Sequence, residues 1–194
     1  MEGRLLGVRL RFDFSFFLLV VLFLLGDQSG SALFILGAAA IHEGGHLLMM
    51  GLAKAPVEAI WFTPFGLRIT RGEGPPLSYG AEAAVTLGGS AANLAGALLW
   101  GFLPIPGALT FSAFQLVLGL LNLLPAENLD GGKLLGDTAS RFLGEREARW
   151  LCRIVTLSLL AGLWAGGLAL LRLARNPSLC LLCGYLTLSL LREG

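Results

Sequence analysis

Charge is scarce in this sequence. Asp, Glu, Lys and Arg together make up 14% of the 194 residues, against 55% hydrophobic side chains and a mean hydropathy of +0.75. That balance excludes an ordinary soluble domain and fits an integral membrane protein. A net charge of +1, with no clustered basic run, excludes a nucleic-acid partner from the expectations. Cysteine is limited to Cys152, Cys180 and Cys183, an odd number in apolar stretches, which is poor material for a disulfide framework. Cys180 and Cys183 have the spacing of a redox or zinc pair, but no second pair, histidine or acid lies near them in sequence. They read as small apolar side chains packed against a neighbouring helix. Histidine is rarer still, at two residues.

What is abundant is hydrocarbon. Six apolar stretches can be drawn, at about 12–26, 31–51, 80–102, 109–124, 150–173 and 177–191. A helix rises about 1.5 Å per residue and a span needs on the order of 20 residues, so the first, fourth and sixth are short. The expected fold is an all-α polytopic membrane protein of about six transmembrane helices, in a single domain over residues 1–194. The first stretch also fits a signal peptide, with Arg4, Arg9 and Arg11 as its charged flank; a retained helix is the simpler reading in so apolar a chain.

Arginine and lysine set the expected orientation. With a cytoplasmic N-terminus, Arg4, Arg9, Arg11, Lys54, Arg68, Arg71, Lys133, Arg141, Arg146, Arg149, Arg153 and Arg192 fall inside, leaving Arg172 and Arg175 outside. Both termini are then cytoplasmic, in a multi-pass protein of the cell membrane. Between the second and third stretches, aromatic and β-branched residues flank a Pro64-Phe65-Gly66 turn. They predict a short membrane-associated β-hairpin, with strands Val57 to Thr63 and Leu67 to Arg71.

The two histidines, His42 and His46, lie four residues apart inside the second stretch. On a helix that spacing puts both on one face, one turn apart, where both reach a single metal ion. Glu43 beside them is placed to act on a water held by that ion. An ionisable group inside a spanning segment costs at least about 2 to 3 kcal/mol unless something compensates it, which weighs toward a functional site. Catalytic zinc takes three protein ligands as a rule. The third must come from elsewhere, and "NLLPAENLDGGKLL", 122–135, offers Asp130 and Glu127 around a helix break at Pro125. Broken helices at membrane depth occur where they are buried or line a wet cavity.

These residues resemble the site-2 protease family of intramembrane zinc metalloproteases. The resemblance rests on His42-Glu43-Gly44-Gly45-His46 together with Asn122, Pro125, Asp130 and Gly131, and covers a three-helix core at about 31–135. It implies one zinc ion held by His42, His46 and Asp130, with Glu43 as catalytic acid/base and Glu127 not a ligand. The family's Gly-Pro-x-x-Asn segment appears as Gly89-Ser90-Ala91-Ala92-Asn93, with serine in place of proline. By that resemblance Asn93 donates a hydrogen bond to the substrate backbone. The compact six-helix layout also resembles the sporulation-type branch, whose relatives cut a membrane-associated pro-sigma factor. Many of those carry a nucleotide-sensing CBS domain, and none is expected in these 194 residues.

The expected activity is hydrolysis of a peptide bond in or near a transmembrane segment of a membrane-bound regulatory protein, such as a pro-sigma or anti-sigma factor. The active site is expected in the cytoplasmic half of the bilayer. The hairpin edge between Val57 and Arg71, with Phe65 and Gly66 at its turn, is a candidate platform for the unwound substrate. A membrane-protein inhibitor or regulator is a further expected partner. The rival readings are a non-catalytic membrane scaffold of the same fold and a metal transporter. The scaffold would lack Glu43 or a ligand, and the transporter would carry polar residues on across the bilayer.

Overall fold

The computed structural model describes residues 2–5, 8–63 and 66–193. The chain divides into two compact units, Met1–Leu120 and Leu121–Gly194.

The first unit opens with a sheet. Strands β1 (Glu2–Leu5) and β2 (Val8–Phe12) form an antiparallel pair. β3 (Val57–Thr63) joins β2 in parallel and carries β4 (Gly66–Arg71) antiparallel on its other side. The expected hairpin is present, with β4 beginning one residue earlier than expected; Phe65, with Pro64, lies outside the described residues. Two strands were expected, however, and the described residues form four, in the order β1-β2-β3-β4. The physical reason is legible afterwards: "GRL" and "VRLRF" alternate basic and apolar side chains with the period of two that a strand presents. β3 therefore lies inside the sheet, and β4 is an edge.

Helix α1 (Phe14–Gly26) follows β2 directly and buries none of its residues; Phe14 is 82% exposed. Its first turn packs on the sheet through aromatic rings: Phe16 and Phe17 meet Phe62 and Phe12, with Phe12 and Phe62 stacked at 4.4 Å. Helix α2 (Ser31–Leu52) and helix α3 (Tyr79–Gly101) then form the main packing of this unit. The start of α2 is set by Asp27, whose carboxylate accepts from the Ala32 N–H at 2.7 Å and from Ser29 N–H at 2.9 Å. Gly30, at φ 74°, supplies the left-handed turn between them. Ser78 caps α3, accepting from the Ala81 N–H. Helix α4 (Ala108–Asn122) runs just past Leu120, the last residue of the unit.

In the second unit, α4 ends at Asn122 and the chain turns through 123–129 before α5 (Asp130–Leu143). Two glycines make that turn possible: a Cβ on Gly131 would collide with the Leu123 carbonyl, and one on Gly132 with the Ala126 carbonyl. α5 is amphipathic and was not anticipated from the sequence, where the apolar run ends and no span follows. Helix α6 (Glu145–Ala174) and helix α7 (Ser178–Glu193) pack as a pair. Trp164 Nε1–H donates to Thr187 Oγ1 between them, and Cys183 is fully buried. All three cysteines are free thiols, as expected.

Among the described residues, three helices are long and apolar enough to cross a membrane: α2, α3 and α6. α1, α4 and α7 are apolar but shorter. Large apolar side chains stand exposed along them, Leu109, Leu116 and Val117 on α4 and Leu181 on α7 among them, the surface that hydrocarbon covers in a membrane protein.

Candidate metal centre

"AIHEGGHLLMM" is helical throughout, in the second half of α2. His42 is buried and His46 half-buried. Their Nε2 atoms stand 3.2 Å apart, with the rings edge to face.

The outer nitrogens explain what this pair is for. His42 Nδ1–H donates to Asn93 Oδ1 at 2.7 Å, and His46 Nδ1–H donates to the Val85 carbonyl at 2.8 Å. The Asn93 orientation is fixed by its amide nitrogen, which donates to the Ala38 carbonyl at 3.0 Å and to Gln115 Oε1. With both Nδ1 atoms as donors, the neutral rings carry their lone pairs on Nε2. Two lone pairs 3.2 Å apart repel unless a cation lies against both. Imidazole nitrogens with their opposite N–H groups tied down are the arrangement found at zinc sites, so the donor set fits the ion implied by the sequence.

Glycine sets the clearance around the pair, and the four glycines nearest it have different tasks. A Cβ on Gly45 would run into the Gly88 carbonyl of α3, and one on Gly88 into Met49 and the Gly45 carbonyl. The two helices therefore touch backbone to backbone there, as small residues allow. A Cβ on Gly89 would stand 2.7 Å from His42 Cε1 and would also strike His46 Nε2, so only glycine leaves room for both rings against α3. Gly44, by contrast, faces open space. Glu43 lies next to it, half-buried.

Asn93 is fully buried, and so is Gln115. Within the chain Asn93 hydrogen-bonds His42, the Ala38 carbonyl and Gln115. Ser90, where the family has proline, is buried within an uninterrupted α3. Of the other expected substrate contacts, Gly66 begins β4 and Phe65 lies outside the described residues.

Asp130 belongs to the second unit, as the first residue of α5, and is 3% exposed. Lys133 Nζ lies 3.7 Å from its Oδ1. Glu127, the competitor, sits in the preceding turn, where its N–H donates to Thr156 Oγ1 at 3.1 Å.

Sequence reasoning missed Gln115, the Val85 carbonyl and the role of Gly89. One signal was available for Gln115: it is the lone amide in "FSAFQLVLGLL", and a polar side chain in such a run needs a partner.

No family model matches the chain. A curated relative described as "Putative zinc metalloprotease Rip3", from Mycobacterium tuberculosis strain Erdman, is 31% identical over 170 residues, covering 77% of this chain and 42% of the relative. The same protein from strain H37Rv gives the same figures. The chain thus spans about two fifths of the length of the curated relatives it matches. Among solved structures, a site-2 protease from Methanocaldococcus jannaschii superposes with a TM-score of 0.69 at 21% identity, over 96% of this chain and 91% of that one. The fold is accordingly that of a site-2 protease. Motif, relatives and fold point the same way: the chain resembles site-2 proteases in its motif residues, shares their fold, and is similar to curated zinc metalloproteases over 77% of its own length.

Proposed function

We propose that this chain is an intramembrane zinc endopeptidase, with one ion held by His42, His46 and Asp130 and with Glu43 as general acid and base. The observation that carries the reading is the facing Nε2 pair with both Nδ1 atoms engaged, one residue from a carboxylate. Asp130 supplies the third donor, a buried carboxylate at the start of a helix that two glycines position. The two units then act as a single protease domain, with residues 31–135 as its core.

Zinc, when bound, acidifies a water and polarises the scissile carbonyl. Glu43 accepts the proton of the attacking water and returns one to the departing amine. Asn93 and Val85 hold the histidine rings in the tautomer that keeps both Nε2 lone pairs inward. Gly44 leaves the space beside Glu43 open to the substrate backbone. A scaffold of the same fold has no use for a carboxylate beside this pair. Replacing Glu43 by Gln is expected to leave zinc bound and abolish proteolysis; cleavage at the native rate in that variant overturns the assignment.

The substrate we propose is a membrane-bound protein, such as a pro-sigma or anti-sigma factor, cut in or near its transmembrane segment. A helical substrate must unwind before its carbonyls are accessible, and a sheet edge meets the backbone hydrogen bonds it loses. β2 occupies one side of β3, so capture belongs to the outer edge of β4, Gly66–Arg71. Proline substitutions along β4 that left cleavage unchanged would argue against it.

We further propose a multi-pass protein with both termini cytoplasmic and the zinc in the cytoplasmic half of the bilayer. Helix length supports it for α2, whose 22 residues rise roughly 33 Å, enough to cross the hydrocarbon layer. An accessible cysteine label at residue 28, protected from a cytoplasmic reagent, is the expected result.

A further inference from the structure

The four-stranded sheet has two unlike faces. Register pairs Arg4 with Arg9, Arg9 with Ala59, Arg11 with Trp61 and Trp61 with Arg68, so these arginines and Trp61 share one face. The register places Leu10, Phe12, Ile60, Phe62, Leu67 and Ile69 on the other.

From this we infer that the sheet is a binding surface for anionic phospholipid headgroups, lying flat at the membrane surface with its apolar face toward the acyl chains. Three observations carry it. First, the apolar face runs on through Phe12 and Phe62 to Phe16 and Phe17 of α1, and α1 buries none of its residues, so sheet and helix present one continuous surface suited to lipid. Second, Arg4 stands directly opposite Arg9. Like charges at that position destabilise a strand pair, and an anion above both reverses the sign. Third, the Arg11 guanidinium lies 4.5 Å above the Trp61 ring. Tryptophan and arginine side by side are the residues that populate the headgroup layer.

Acidic groups on or near this face do not cancel it. Glu58, the residue at the bulge in β3, pairs with Arg9, and Glu2 stands opposite Arg11 in register. Four arginines against two acids leave an excess of two positive charges, and guanidinium forks fit phosphate oxygens in pairs.

The test uses the full chain with Trp100, Trp150 and Trp164 replaced by Phe, so that Trp61 alone reports. It is reconstituted into phosphatidylcholine vesicles containing equal mole fractions of brominated phosphatidylglycerol or brominated phosphatidylcholine. The expected result is quenching by the brominated phosphatidylglycerol at least about twofold stronger, since each arginine near an anionic surface enriches it several-fold. The ratio should fall to about one in the R4Q/R68Q double variant, whose two positions are both solvent-exposed, and persist in R4K/R68K. Equal quenching by the two lipids overturns the inference, as does an unchanged ratio in R4Q/R68Q. An acidic peptide that changes Trp61 emission in pure phosphatidylcholine, through the same arginines and without any lipid preference, also overturns it, by making the face a peptide site. Zinc content, measured in parallel, separates this outcome from any failure of the protease reading.

Discussion

His42 donates its Nδ1–H to the amide oxygen of Asn93, a residue 51 positions away and fully buried. That bond decides which nitrogen of His42 faces the metal. Removing the acceptor in Asn93→Ala should weaken zinc binding roughly 10- to 100-fold, the usual cost of losing a partner behind a metal ligand. Competition with a fluorescent chelator measures it. If Asn93 instead contacted substrate, zinc affinity would be unchanged and only KM would rise.

His46→Ala removes a donor outright. Purified protein should hold far less than one zinc per chain, and full occupancy in that variant would remove His46 from the ligand set.

The neighbouring glycines should respond oppositely to one methyl group. Gly44→Ala places its Cβ in open space and gains helix propensity of about 1 kcal/mol, so thermal stability should hold or rise. Gly45→Ala drives α2 from α3 and should cost about 1–3 kcal/mol, the range for overpacking a close contact. Gly89→Ala should lower zinc affinity as well, because its methyl strikes the imidazoles. Melting temperatures in detergent, read beside zinc content, separate the three; equal effects at Gly44 and Gly45 would contradict the packing described.

Asp27 makes the start of α2 sensitive to acid. Hydrogen bonds from Ser29, first its hydroxyl, and from the Ala32 N–H hold the Asp27 carboxyl below the ordinary carboxylate value. A pKa lowered by folding stabilises the fold above the ordinary value, and that contribution disappears as pH falls through the lowered one. Protection of the Ala32 amide from hydrogen exchange, relative to the intrinsic rate at each pH, should therefore fall on acidification, and Asp27→Ala should show low protection at every pH. An acid response surviving in Asp27→Ala would assign it to another group.

Much of the site was legible because its constraints are local. His42 and His46 share a face by helical spacing alone, and Pro125 with Gly131 marks a break by backbone chemistry alone. The hairpin over 57–71 was legible for the same reason. β1 and β2 were not, because their arginines read as the charged flank of a membrane helix, while their strand identity depends on a partner more than 40 residues later. α5 escaped notice since its polar face breaks the apolar run that defined the other helices. The bond from His42 to Asn93 was not legible, because only tertiary packing brings α3 against α2 and turns the Asn93 amide toward that ring.

The parallel pairing of β2 with β3 also orders events in time. Phe12 meets Phe62, so the β1–β2 pair cannot join β3 until about 50 more residues are made, several seconds at ~5–20 residues per second. In the multi-pass arrangement proposed above, the arginine-rich strands would wait at the surface over that interval, while α1 and α2 entered the bilayer. Sheet closure is thus a late checkpoint on insertion: a chain whose first two helices were threaded the wrong way could not complete it.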